Sequence, residues 1–256
     1  MKQLTAFTKK EFTELYRTGK LLILTIVFVV FGLMNPAFAK MTPWLMNLLS
    51  DSLAEAGMSI AKVEVNALTS WTQFYKNVPI LLIVFVIMFS GILTIEYQRG
   101  TLVNMLTKGL SRWKVIAAKG TSMMSIWTFC YWLSFGITYF YNDYYWDNSI
   151  LSHLFLGALC IYLLGIWLIS LVLFASSFVS MNSAVLLFTG GMFVISYLVS
   201  MVPTVSKYLP TQLVSSQALL TGTMDPSDFT ASIIVTLLLT IICFSGTVLV
   251  FNKKRL

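Results

Sequence analysis

The stretch 95–114 reads IEYQRGTLVNMLTKGLSRWK. It lies between two long apolar runs, and its reading organises the rest of the chain. Carried on to Lys119 it holds Glu96 and five basic residues, although only 11% of the chain is charged. Gly100-Thr101 is suited to open a helix, with Thr101 as N-cap. Leu102, Met105 and Leu106 then share one face at i, i+3 and i+4, and Gly109 closes the helix at C′. Lys108 falls in the last turn, where the helix dipole favours a cation. Ser111-Arg112-Trp113-Lys114 leads into the next apolar run. The expectation is a short amphipathic helix lying along a membrane surface, held between two spans by basic anchors.

Composition supports the membrane. The 256 residues are 57% hydrophobic and 14% aromatic, whereas a soluble domain carries about 25% charged residues. The net charge of +7 does not indicate nucleic acid, because the basic residues flank apolar runs and form no continuous face. Cys130, Cys160 and Cys243 lie inside apolar runs as small hydrophobes, and no cysteine or histidine spacing suggests a metal. The first apolar run begins near Leu21 and is followed by Asn35-Pro36. No small-residue cleavage site follows it, so it reads as a retained anchor.

A bilayer core of about 30 Å takes roughly 20 apolar residues in a helix. Six stretches qualify: 21–39, 78–95, 115–140, 150–178, 184–202 and 229–251. The expected fold is an all-α polytopic membrane protein, with residues 1–256 forming a single transmembrane domain. With both termini cytoplasmic, the inner segments hold 13 of the 17 basic residues and only three of the ten acidic ones, Glu11, Glu14 and Glu96. The positive-inside rule selects that orientation.

Residues 1–20 form no span. Leu4, Phe7, Phe12, Leu15 and Tyr16 fall on one half of a helix, with Lys9, Lys10 and Arg17 on the other. This suits a helix lying in the inner interface. Outside, 40–77 is a long mixed segment whose part 51–71 is helix-compatible, and 139–148 (YFYNDYYWDN) is an aromatic outer turn. Residues 211–220 follow Pro210 and precede Gly222, as a short outer helix would. Asp225, Pro226 and Asp228 take N-cap, N1 and N3 positions at the start of the last span.

Catalytic signatures are missing. There is no phosphate-binding GxxxxGK[ST], HExxH or GxSxG, and the single His153 sits near the outer start of the fourth span. Apart from Glu96 at the inner boundary, the span interiors are read as free of ionisable residues, which disfavours an ion-coupled carrier. The chain is therefore not expected to be catalytic by itself. A stand-alone secondary transporter or channel, and an intramembrane enzyme, are the competing readings.

Glu96, Gly100-Thr101-Leu102, Leu106, Ser111-Arg112 and Lys119 together resemble the pattern of the ABC-2 permease family, the membrane half of type V ABC exporters. The six-span layout, the interfacial helix and the short outer helices before the last span are similar to that family as well. The resemblance implies that the 95–114 helix is a coupling helix docking on a separate ATP-binding subunit. ATP and Mg²⁺ would be bound there, and no cofactor in this chain. Leu102, Met105 and Leu106 would be apolar anchors, with Glu96, Gly100, Thr101, Ser111, Arg112 and Lys119 completing the coupling set. Glu96 and Arg112 are placed to pair; a hinge, or a solvated unpaired glutamate, are the other readings. A second permease copy or a related permease would complete the transporter in a bacterial plasma membrane. Spans two and five would line the path, offering Phe85, Met88 and Phe89, and Phe188, Met192, Phe193 and Tyr197. Such a wall suits a hydrophobic or amphipathic cargo, a drug, peptide or lipid, that is exported.

Overall fold

The computed structural model describes residues 2–55, 65–107 and 109–254. Among them every regular element is helical: α1 (Lys2–Arg17), α2 (Lys20–Glu55), α3 (Ala67–Phe89), α4 (Thr94–Gln98), α5 (Thr101–Thr107), α6 (Arg112–Tyr145), α7 (Leu154–Phe178), α8 (Asn182–Val199), α9 (Pro203–Ser206) and α10 (Pro226–Lys253). Two 3₁₀ segments, Asn148–Ile150 and Pro210–Leu219, complete the described chain. The molecule is an all-α polytopic membrane protein.

Among the described residues, five segments are long and apolar enough to cross a membrane: 20–46 of α2, 67–98 covering α3 and α4, then α7, α8 and α10. They coincide with five of the expected spans. The remaining one, α6, has 34 residues, about 51 Å at 1.5 Å per residue. Its composition is more polar because Lys119, Ser122, Ser134, Thr138 and Asn142 are buried against neighbouring helices. Helix α7 is the central element, with 72% of its apolar window buried, whereas α8 and α10 are each only 11% buried and carry their leucines and isoleucines on the perimeter. Those faces suit lipid, which is as apolar as the side chains themselves.

Several expected boundaries move. The first span, expected over 21–39, does not stop there, for α2 continues through Pro36 and Pro43 to Glu55. Proline at 36 leaves the carbonyl of Gly32 without its i+4 donor. The Thr138 hydroxyl of α6 donates to that carbonyl at 3.0 Å, and Asn35 Nδ2 donates to Thr138 Oγ1 at 3.1 Å. A neighbouring helix thus satisfies the group that proline orphans, as buried backbone in lipid requires. The mixed outer segment accordingly shrinks: 51–55 belongs to α2, 56–64 lies outside the described residues, and Asn66 caps α3 by accepting from Thr69 N–H. The aromatic stretch 139–148 is mostly the end of α6, not a turn.

The core is a lattice of rings where α2, α3 and α6 meet. Trp127 contacts Phe28 at 5.9 Å and Phe85 at 5.5 Å, and Phe74 contacts Tyr131 and Phe135 at 6.0 and 6.1 Å. Offset and edge-on rings at such spacings add about 0.5–1.5 kcal/mol per pair beyond area burial. The expected start of the last helix holds: Pro226 begins α10, and the Asp228 side chain accepts from the Asp225 N–H at 3.0 Å. Residues 210–219 form a 3₁₀ segment followed by Gly222 at φ +66°, close to the short helix the proline and glycine signals suggest.

Candidate functional site

The charged residues of the sequence converge at the end of the bundle that carries α1, α4 and the start of α6. Lys119 is 2% exposed, Glu11 2% and Glu96 7%. Lys119 Nζ donates to Glu11 Oε2 at 3.0 Å and lies 3.1 Å from Glu96 Oε2. The second contact lacks hydrogen-bond alignment and is Coulombic. Lys10 Nζ reaches Glu11 Oε1 and Glu96 Oε1, both at 3.1 Å, and Glu14 Oε2 at 2.7 Å. Half-burial opposes the charge on Lys10, but its hydrogen bond to Glu14 and the charges of Glu11 and Glu96 hold its ammonium well above the usual lysine range. Burial likewise opposes the charge on Glu14, yet Lys10 keeps that carboxyl below its ordinary value.

The cluster joins three helices. Amphipathic α1 packs on α6 with Phe7, Glu11 and Leu15, spaced four apart, all buried. Three carboxylates, Glu11, Glu14 and Glu96, have oxygens within 4.8 Å of one another, the kind of set a cation could bridge. Two ammonium groups, those of Lys10 and Lys119, already lie among them and offset two of the three carboxylate charges. A cavity of about 50 Å³ adjoins the cluster, lined in part by Lys20, Gly91 and Ile95. Lys20 Nζ donates to the Met88 carbonyl at 3.2 Å, a C-terminal group of α3.

This overturns the pairing of Glu96 with Arg112. Arg112 Nη1 instead bonds the carbonyls of Phe251 at 2.7 Å, Asn252 at 3.2 Å and Lys254 at 2.6 Å. The last carbonyls of α10 form the negative end of its dipole, which favours a guanidinium; that of Phe251 also accepts from the Lys254 N–H at 3.4 Å. The reading of charge-free span interiors also fails, since Lys119 lies two turns inside α6 and is fully enclosed.

The hairpin between α4 and α6 forms where expected, with two differences. Gly100 takes φ +65° and Thr101 is already helical, its hydroxyl near the Glu96 carbonyl at 3.5 Å, so Thr101 is not an N-cap. Gly109 (φ +86°) closes α5 as foreseen: its N–H bonds the Leu106 carbonyl at 3.0 Å, and Leu110 N–H bonds that of Met105 at 3.4 Å, a Schellman pair. Lys108 lies outside the described residues. Leu102 is 1% exposed and belongs to the chain's own core, with Met105 and Leu106 partly buried against it. The apolar face of α5 is therefore spent internally. Its free side presents Val103, Asn104 and Thr107. Ser111 precedes α6 in extended conformation, at its N-cap position.

The residues read as path-lining separate. Phe85 and Phe89 are buried in the ring lattice, their ring centroids 4.6 Å apart and the planes tilted by 32°. Met88 packs against the core, and Phe188 packs on Phe174 and Phe178. Phe193 and Tyr197 instead line an open groove of about 610 Å³ between α3, α7 and α8, together with Pro79, Leu82, Val86 and Leu168. Met192 is exposed nearby on α8. Thr189 also belongs to that wall; it is buried, with no hydrogen-bond partner for its hydroxyl.

Sequence reading missed Lys10, Glu11 and Glu14 as site residues. A signal existed: Glu11 interrupts the stripe Phe7–Leu15, and an acid on a buried face requires a partner.

The chain is thus an all-helical membrane bundle with a buried charge cluster and a hairpin closed by Gly109 at one end. The family model for ABC-2 family transporter proteins matches residues 5–217, and the chain belongs to that family. It is a membrane permease of an ABC transporter. Comparison with curated proteins gives no match.

Proposed function

We propose that this chain is the membrane subunit of an ATP-driven exporter and works with a separate ATP-binding subunit, where ATP and Mg²⁺ are held. The observation that carries the reading is α5: a capped seven-residue helix whose apolar face is buried at home and whose outer side is free. A helix this short has no stability of its own, so its definition comes from the packing beneath it, as a rigid docking knob requires. The docking face is then Val103, Asn104 and Thr107 rather than Leu102. The basic end faces the cytoplasm by the positive-inside rule, and both termini lie there. The apolar groove between α3 and α8 supports a hydrophobic or amphipathic cargo. The perimeter position of α8 supports a second permease copy facing it. Both termini on one side require an even number of spans, which makes α6 the sixth.

The test is purification with candidate ATP-binding subunits and measurement of stimulated ATP hydrolysis. Val103→Glu with Thr107→Glu is expected to abolish association while leaving the thermal stability of the permease intact. Unchanged association and stimulation in that double variant would refute the docking assignment.

A further inference from the structure

We infer that the carboxy-terminal end of α10 is a clasp that fixes both stems of the α5 hairpin and carries its movement to α7, α8 and α10. The inference rests on the coupling role proposed for α5. On the outgoing stem, Arg112 Nη1 holds the carbonyls of Phe251, Asn252 and Lys254 at 2.6–3.2 Å, and its guanidinium lies 5.8 Å from the Phe251 ring. On the incoming stem, the Tyr97 ring lies 6.3 Å from the Phe251 ring. Lys254 Nζ sits 3.8 Å over the Tyr97 ring and donates to the Val179 carbonyl at 3.3 Å. Gln98 Nε2 adds a bond to the Ser180 carbonyl at 3.1 Å. Phe251 is fully buried between the stems.

The chemistry explains why this segment suits the task. A helix C-terminus gathers carbonyls where its own ladder of hydrogen bonds runs out, and Arg112 Nη1 reaches three of them. The same terminus attracts cations by its dipole. Lys254 leaves the helix end and returns over an aromatic face, a cation–π contact stronger where water is excluded. Covalently, α5 connects only to α4 and α6. Through the clasp it also grips α10, which packs along α7, and the turn from which α8 starts. Since α8 lines the apolar groove, the clasp gives the hairpin a route to the groove through α10, beside the direct bond from Thr94 of α4 to Asn182 of α8. Tyr97, Phe251 and Lys254 are thereby positioning residues, and α10 lies beyond the part of the chain that the family model matches.

The experiment uses the full chain in lipid nanodiscs, with nitroxides at Asn104→Cys and Lys253→Cys, both exposed, on a Cys243→Ser background. Pulsed dipolar spectroscopy is expected to give one narrow distance distribution in the parent and a broadened one in Arg112→Gln. Lys254→Gln, at a half-exposed position, is expected to broaden it too and covers the case in which the arginine variant does not fold. With the ATP-binding subunit added, maximal stimulation of ATP hydrolysis should fall about fivefold or more in Lys254→Gln, while half-maximal subunit concentration stays the same. A distribution as narrow as the parent's in both variants overturns the clasp, as does a parallel loss of binding and stimulation. Broadening in a permease that no candidate subunit binds upholds the clasp as a contact and overturns the coupling reading on which its role rests.

Discussion

Lys119 is enclosed in an apolar bundle and is tolerable there only because Glu11 and Glu96 lie within 3.0 and 3.1 Å. Removing one member of such a network leaves an uncompensated buried charge, which costs about 3–5 kcal/mol. Lys119→Met is therefore expected to lower the thermal unfolding temperature in detergent sharply, and adding Glu11→Gln should recover part of the loss. Equal stabilities of the single and double variants would show that the charges are not coupled. Glu14 behaves differently because it is nearer the surface. Its folded pKa lies below the ordinary 4.5, so its contact with Lys10 contributes fully above that value and is lost as pH falls through the lower folded value. Unfolding temperature followed through this acid range should decline less steeply in Glu14→Gln than in the parent.

Among the elements, the α2–α6 contact shows how a proline is accommodated. A Cβ on Gly32 would approach the Ser134 carbonyl to 3.0 Å and Ile137 Cβ to 3.2 Å, so the helices meet almost backbone to backbone beside Pro36. Thr138→Val leaves the Gly32 carbonyl without a donor and should cost about 1–2 kcal/mol. Pro36→Ala in that background restores an amide N–H four residues on, and should regain stability. If the double variant is no better than Thr138→Val, the hydroxyl is not replacing the missing amide. The same accounting of backbone groups governs the hairpin: Gly109 closes α5 because φ +86° suits a residue without Cβ. That end was readable from sequence, as was the Asp225-Pro226-Asp228 start of α10, because both depend on residues a few positions apart. The Thr101 cap was misread because the turn at Gly100 starts the helix one residue earlier.

For the whole molecule, burial separates a closed half from an open one. Helices α2, α3, α6 and α7 enclose the ring lattice, while α8 stands off α3 and leaves the apolar groove. Gly190 lines that groove, and a Cβ there meets nothing within 4 Å. Gly190→Leu should fold at least as well as the parent, since leucine favours the helix by about 1 kcal/mol over glycine, yet narrow the groove. Efflux of an apolar dye from vesicles containing the reconstituted transporter is expected to fall, with the unfolding temperature no lower than the parent's. Undiminished efflux would place the path elsewhere.

The sequence alone determined the membrane class, the positions of the apolar helices, the amphipathic α1 and the hairpin with its closing glycine. These follow from period, hydropathy and local caps, which act within one element and against one solvent. Tertiary structure alone decided which partners the charges take. Glu11 and Lys119 are 108 residues apart, and no periodicity specifies that pairing or sends Arg112 to the end of α10. It decided too that Leu102 faces inward and Val103 outward, and that Phe85 joins the core while Phe193 lines the groove. An apolar face records only that something covers it. Whether that is the chain's own core, lipid or another protein depends on where the other helices stand.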